Sequence, residues 1–113
     1  MLKDLYMQFR TDQDAADAFY MIEYGKFQYT TKFHGSAEER KIDRLLTLCD
    51  LVCAMHADET LTVREMEYFK YQFKRIFNDS SIKAYLEFLD SFYARNNMSK
   101  KSFERFQLYG AKL

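Results

Sequence analysis

The segment from Ser36 to Ala57 constrains the fold more than any other part of the chain. Ser36 and Glu39 have the spacing of a capping box, in which each residue's side chain bonds the backbone amide of the other at the start of a helix. Apolar or neutral residues then cover one face and much of the opposite side: Ile42, Leu45, Leu46, Cys49, Val52, Cys53 and His56, with Leu48, Leu51 and Met55 across from them. A helix that is apolar on nearly all sides is normally buried. We therefore predict a buried central helix over about residues 37–57.

The rest of the chain also favours helices, because it has no proline and only three glycines in 113 residues. Apolar residues recur at helical spacing in residues 12–24, 63–77 and 80–95. The first ten residues fit either a helix or a strand, and we favour a short helix. The sequence thus predicts one all-α domain over residues 1–113, a compact bundle of five to six short helices around the central helix.

Local signals predict several helix ends. Thr11 is expected to cap the second helix, and Gly25 to end it after about Tyr24. Residues 26–34 alternate as a strand would, but an isolated strand is rarely stable. We therefore expect an irregular connection whose rings fill the core. A last short helix is expected between a cap at Ser99 and Gly110.

Charge and cysteine content exclude some classes of protein. Lys plus Arg and Asp plus Glu are both 17, so the net charge of +0 gives no overall attraction to nucleic acid or acidic membranes. No apolar run is long enough for a membrane span, and the first residues do not resemble a secretory signal. Two cysteines without such a signal indicate free thiols in a reducing compartment. We expect a cytoplasmic protein without membrane partners.

Aromatic residues are unusually frequent, with 9 Tyr and 11 Phe. A domain of this size cannot bury all of them, so some rings should lie on the surface. Arg64, Tyr68, Tyr71 and Arg75 fall on one narrow face of a regular helix over residues 63–77. Tyr and Arg dominate binding hot spots, so these four residues are candidates for binding a protein partner or a second copy. A solvated face remains an equal alternative.

Two other features bear on that helix. Its lysines make it locally basic, which favours an acidic partner in spite of the neutral total. Rings framed by guanidinium groups could also stack bases and hold phosphates. A nucleic-acid binder using the same four residues is therefore an alternative, although the overall charge makes nucleic acid a less favoured partner.

The turn after the central helix carries the most specific motif of the chain, in residues 57–65. Asp58, Leu61, Thr62 and Glu65 match the helix-connecting motif of the TerB-like family of tellurite-resistance proteins, and Glu59 replaces its usual glycine. The resemblance covers about residues 42–77. It implies an all-α fold, a role in stress- or defence-linked assemblies, and an acidic cluster proposed to bind a divalent metal.

Asp58, Glu59 and Glu65 are therefore the candidate metal ligands, and a divalent-metal sensor is a second alternative function. The same residues also have a purely structural interpretation. Thr62 and Glu65 form a capping box, and the two preceding carboxylates fit a solvated turn.

Catalysis is not expected. Cys49, Cys53 and His56 share one helical face and could converge on zinc, but a fourth ligand is not evident and buried thiols are the favoured interpretation. No glycine-rich phosphate loop follows a strand. We thus expect a non-catalytic interaction module without an obligatory cofactor. Small proteins rich in Tyr and Phe also occur in phages and mobile elements, which makes such a source an expectation by association.

Overall fold

The computed structural model describes residues 2–113, with side chains from residue 4 onward. Its elements are α1 (Leu2–Thr11), α2 (Gln13–Glu23), a 3₁₀ turn (Thr31–Phe33), α3 (Ala37–Ala57), α4 (Val63–Met66), a second 3₁₀ turn (Glu67–Phe69), α5 (Lys70–Phe77), α6 (Ser80–Arg95) and α7 (Glu104–Gly110). The second 3₁₀ turn joins α4 directly to α5, so residues 2–113 form six main helical segments and no strand. The predicted all-α bundle is confirmed, including the bounds of its central helix.

The central helix α3 packs mainly against α2 and α7. Seven of its side chains are buried: Ile42, Leu45, Leu46, Leu48, Cys49, Val52 and Cys53. The expectation that α3 is buried on nearly all sides was too broad, because Leu51 is 45% exposed. The neighbouring helices cover only part of the circumference of α3, and Leu51 lies outside that part.

The start of α3 differs in one detail from a complete capping box. The Ser36 hydroxyl accepts a hydrogen bond of 3.2 Å from the Glu39 amide, as expected. The Glu39 carboxylate accepts instead from the amide of Gly35, at 2.6 Å. The second box is complete, since Thr62 and Glu65 each accept from the other's amide.

Asp12, and not Thr11, caps α2. Thr11 is the last residue of α1, and its hydroxyl donates to the carbonyl of Met7. Asp12 accepts from the Ala15 amide at 3.0 Å and from Nε of Arg44 at 2.8 Å. These two contacts lower the pKa of the Asp12 carboxyl, the amide bond being the larger cause. The Thr11 prediction was wrong because α1 continues to the residue directly before the cap.

The connection from α2 to α3 is irregular, as expected. Gly25 ends α2 with a φ of 65°, which a glycine adopts without strain. Phe27 and Phe33 are both buried, with their ring centroids 5.3 Å apart. The rings of this connection therefore do fill the core.

The C-terminal part departs most from the predictions. Ser99 caps no helix, because α7 begins only at Glu104. The Phe106 amide in the first turn of α7 donates to the carboxylate of Asp50 in α3, at 3.0 Å. The buried side chains of α6 lie in its first half, and Phe92 in its second half is 47% exposed.

Gly110 closes α7 as expected, but for a packing reason. A Cβ atom at this position would lie 2.5 Å from Cγ and Cδ1 of Phe77. The glycine therefore allows α7 to approach the end of α5 closely.

Candidate interaction surface

The four candidate partner-binding residues lie on a helix that is not regular throughout. The 3₁₀ turn Glu67–Phe69 interrupts the helix, and each 3₁₀ residue advances about 120° rather than the 100° of an α-helix. Three such residues rotate Arg64 by about 60° relative to Arg75. Tyr68 and Tyr71 are 61% and 60% exposed, as the interpretation requires. The four residues therefore span about 80° around the helix axis, rather than the about 60° of a regular helix.

Arg75 is engaged within the bundle. Its Nη2 donates to the carbonyl of Ile22 at 2.7 Å and to that of Glu23 at 3.4 Å, and Nη1 lies 4.0 Å from a carboxylate oxygen of Asp79. The carbonyls at a helix end lack helical partners, so this guanidinium completes the C-terminus of α2. Arg75 is consequently not available to a partner in the way that the sequence suggested.

Tyr71 also faces α2. Its hydroxyl donates to Oε1 of Glu23 at 2.6 Å, and this bond to a carboxylate is the main cause that raises the pKa of the phenol. The remaining carboxylate oxygen, Oε2, is buried and has no hydrogen-bond partner among the described residues. Tyr71 and Glu23 thus form one wall between α5 and α2.

That wall borders an open groove of about 460 Å³ between α1, α2 and α5. We call it the aromatic groove, and its lining is Phe9, Arg10, Ala16, Phe19, Tyr20, Glu23, Tyr24, Tyr71 and Gln72. Tyr20 and Tyr24 are 55% and 62% exposed, and their ring centroids lie 4.5 Å apart. Sequence reasoning selected Tyr71 but missed the other two. Their spacing of four residues on the outer side of α2 was the available signal.

Tyr68 contacts Tyr6, which in turn contacts Arg10 of the groove lining. The rings of Tyr68 and Tyr6 pack edge-on with their centroids 6.1 Å apart. The guanidinium of Arg10 lies over the Tyr6 ring, 5.7 Å from its centroid. Arg10 in turn lines the groove. Tyr68 is therefore linked through Tyr6 and Arg10 to the groove that Tyr71 lines.

The candidate metal ligands Asp58, Glu59 and Glu65 are not brought together. Within the described part of the chain, no three or more His, Cys, Asp or Glu side chains are grouped so that they could hold a metal ion. One oxygen of Glu65 already accepts from the Thr62 amide. The geometry thus favours the structural interpretation of this turn.

Glu59 occupies a left-handed conformation with a φ of 64°. Its amide donates to the His56 carbonyl, and the next amide, of Thr60, donates to the Met55 carbonyl. This is the arrangement in which a helix commonly ends on glycine. Glu59 stands where the TerB-like motif has glycine, and a glycine would adopt this left-handed backbone conformation with less strain than glutamate.

The two cysteines are unsuited to nucleophilic chemistry. Burial raises the pKa of the Cys53 thiol to about 12 and that of Cys49 well above its usual value. His56 donates from Nδ1 to the Leu61 carbonyl at 2.7 Å, which fixes its ring for a structural role. Both thiols are therefore protonated at neutral pH and sit within the core.

A polar cluster that sequence reasoning missed surrounds Tyr85. The buried Tyr85 hydroxyl lies 2.6 Å from Asp43 and 3.0 Å from Glu39, and His34 contacts Glu39 at 3.4 Å. Burial raises the pKa of the Asp43 carboxyl, whereas hydrogen bonds from Gly35 and Tyr85 outweigh burial at Glu39 and lower its pKa. The cluster connects the first turns of α3 to α6.

No described helix is long and apolar enough to cross a membrane. No known family model, curated protein or solved structure matches the chain. The resemblance to the TerB-like family accordingly stays a prediction.

Proposed function

We propose that this chain is a non-catalytic protein-interaction module that binds a segment of another protein in the aromatic groove. One observation carries the proposal. Tyr20, Tyr24 and Tyr71 are each more than half exposed and line the same groove of about 460 Å³. Tyr is enriched in the cores of protein interfaces because its ring is large and rigid while its hydroxyl tolerates water.

The size of the groove supports a peptide-like occupant. Ligand sites of this kind range from about 300 to 1,000 Å³, so the groove suits one or two side chains of a partner. Phe9 and Phe19 form part of its lining, which offers apolar contact beneath the exposed tyrosines. A partner segment would thus cover rings that water now contacts.

The alternative functions have less support. Nucleic-acid binding relied on Arg64 and Arg75 as phosphate ligands, and Arg75 instead bonds the carbonyls of α2. A metal sensor relied on three carboxylates, one of which caps a helix. No observation favours either function over protein binding.

The wider assignment is also part of the proposal. The motif of residues 57–65 supports a module of the TerB-like type with a stress- or defence-linked role, and the richness in Tyr and Phe suits a phage or mobile-element protein. Two free, buried cysteines suit a cytoplasmic location.

Site-specific photo-crosslinking tests the proposal. A benzoyl-phenylalanine probe replaces Tyr20 or Tyr24 in the full chain, and the matched control carries the probe at Phe92, an exposed ring on α6. Each variant is irradiated in nuclease-treated extract. We expect the same partner protein to be cross-linked from both groove positions and not from Phe92.

Three outcomes contradict the proposal. Equal cross-linking from all three positions would indicate non-specific contact, and no cross-linking from the groove would remove the evidence for binding there. Products that contain only a second copy of the chain would replace the heterologous partner with self-association.

A further inference from the structure

We infer that the aromatic groove recognises a cationic side chain, Lys or Arg, of the partner protein. This inference rests on the proposed function and specifies its chemistry. It combines three observations: the tyrosine rings, the Glu23 carboxylate, and the engagement of the only arginine in the described lining.

The rings of this region already attract cations of the same chain. Nζ of Lys26 lies 5.6 Å from the centroid of Tyr20, and the guanidinium of Arg10 lies 5.7 Å from that of Tyr6. The face of an aromatic ring is electron-rich and attracts ammonium and guanidinium groups within about 6 Å. The exposed rings of Tyr24 and Tyr71 offer the same chemistry to a partner.

Glu23 provides the charge that a cation requires. Its Oε1 accepts from Tyr71, but its buried Oε2 has no donor among the described residues. Glu23 also lines the groove, so the charge of its carboxylate favours a cation that enters there. A Lys or Arg side chain in the groove brings charged donors, whereas an Asp or Glu side chain would meet like charge.

The cations near the groove do not already satisfy this carboxylate. Arg10, the only cationic residue in the described lining, donates to the Tyr6 hydroxyl at 3.1 Å. Arg75 bonds the carbonyls at the end of α2, and Lys70 lies 4.0 Å from a carboxylate oxygen of Glu67. The basic character of α5, which suggested an acidic partner, is thus partly engaged within the protein.

A titration with capped amino acids tests the inference. The probes are the N-acetyl methylamides of lysine, arginine, norleucine and glutamate, added to the full chain while its backbone amide NMR signals are followed. We expect saturable shifts of groove residues with the lysine and arginine probes. Norleucine has the same aliphatic chain without the charge, so it should bind about tenfold more weakly.

The variant Glu23→Gln separates charge from shape, because glutamine retains an oxygen that can accept from Tyr71. We expect it to weaken the lysine and arginine probes about tenfold and to leave norleucine unchanged. The matched control is Glu87→Gln on the exposed side of α6, which should change nothing. The inference would be overturned if the norleucine or glutamate probe bound as tightly as the lysine and arginine probes. It would also be overturned if Glu23→Gln bound the lysine and arginine probes as tightly as the wild type does.

Cross-linking distinguishes this inference from the proposed function. If the Tyr24-probe product is retained in Glu23→Gln and the wild type binds none of the basic probes, cation recognition is overturned and the interaction module stands. Specific binding of the basic probes without a cross-linked partner would support cation recognition and contradict the proposed interaction module.

Discussion

Arg75 of α5 donates a hydrogen bond of 2.7 Å to the backbone carbonyl of Ile22, the last buried residue of α2. A longer bond of 3.4 Å reaches the carbonyl of Glu23. One side chain therefore closes the end of α2 and holds it against α5. These are two of the three helices that form the aromatic groove.

Replacing this arginine should weaken the bundle. We expect Arg75→Ala to lower the free energy of unfolding by about 1–2 kcal/mol, because charged hydrogen bonds to the carbonyls are lost from a partly exposed site. Urea denaturation followed by circular dichroism measures the change. The control Lys74→Ala, at an exposed neighbouring position, should stay within about 0.5 kcal/mol of the wild type. Equal effects of the two substitutions would contradict the role assigned to Arg75.

A glycine at position 59 should make the folded protein more stable than the native glutamate does. Glu59 has a φ of 64°, and non-glycine residues adopt this region at a cost of about 1–2 kcal/mol. We expect Glu59→Gly to raise the free energy of unfolding by up to about 1 kcal/mol, since the flexibility of glycine in the unfolded chain offsets part of the gain. Thermal denaturation provides the measurement.

The control for this change is Glu67→Gly, in a right-handed conformation within the second 3₁₀ turn. It should destabilise the protein by about 1 kcal/mol. A loss of stability in both variants would show that the left-handed position is not strained.

Replacing the glycine at position 110 should lower the free energy of unfolding. Gly110→Ala would place a Cβ 2.5 Å from two ring carbons of Phe77, so α7 or the ring must shift. We expect a loss of about 1–3 kcal/mol in urea denaturation. The double variant Gly110→Ala/Phe77→Leu should lose less than the sum of the two single variants. Simple additivity would mean that the ring is not the obstacle.

The hydrogen bond from the Ala15 amide and the ion pair with Arg44 should together make the contribution of Asp12 to stability depend on pH. The pKa of this carboxyl is lowered in the folded protein from its ordinary value of 3.8, so the folded state favours the ionised form. Its contribution is complete above about pH 5 and is lost as the pH falls through the folded pKa. Asp12→Asn keeps a capping oxygen and loses the charge that pairs with Arg44. The difference in unfolding free energy between wild type and variant should therefore shrink below about pH 4.

Denaturation curves at pH 7, 5, 4 and 3 test this dependence. The control is Asp4→Asn, at an exposed position in the first turn of α1. A difference at Asp12 that is constant across the series, or that grows in acid, would contradict the assigned pairing.

The helices that could be predicted from the sequence are those defined by neighbouring residues. Ser36 and the apolar spacing after it predicted α3, because a cap and its helix lie within a few positions of each other. The 3₁₀ turn at Glu67–Phe69 could not be predicted in this way, since no proline or glycine interrupts the helix there. That turn increases the angle between Arg64 and Arg75 around the helix axis by about 60°.

The candidate site could be predicted only in part from the sequence, for a similar reason. Tyr71 was identified from its own helix, but its partner Glu23 lies 48 positions earlier. Tyr20 and Tyr24 acquire significance only when α2 is placed beside α1 and α5. Rules about a single helix cannot show which of its exposed rings border a groove built from three.

The bond from Phe106 to Asp50 determines how the C-terminal part of the bundle behaves. A helix of seven residues is too short to persist on its own in water. Its first turn depends on a carboxylate of α3, and its last residue depends on close contact with Phe77. We therefore expect helix α7 to melt together with the central helix rather than to fray independently.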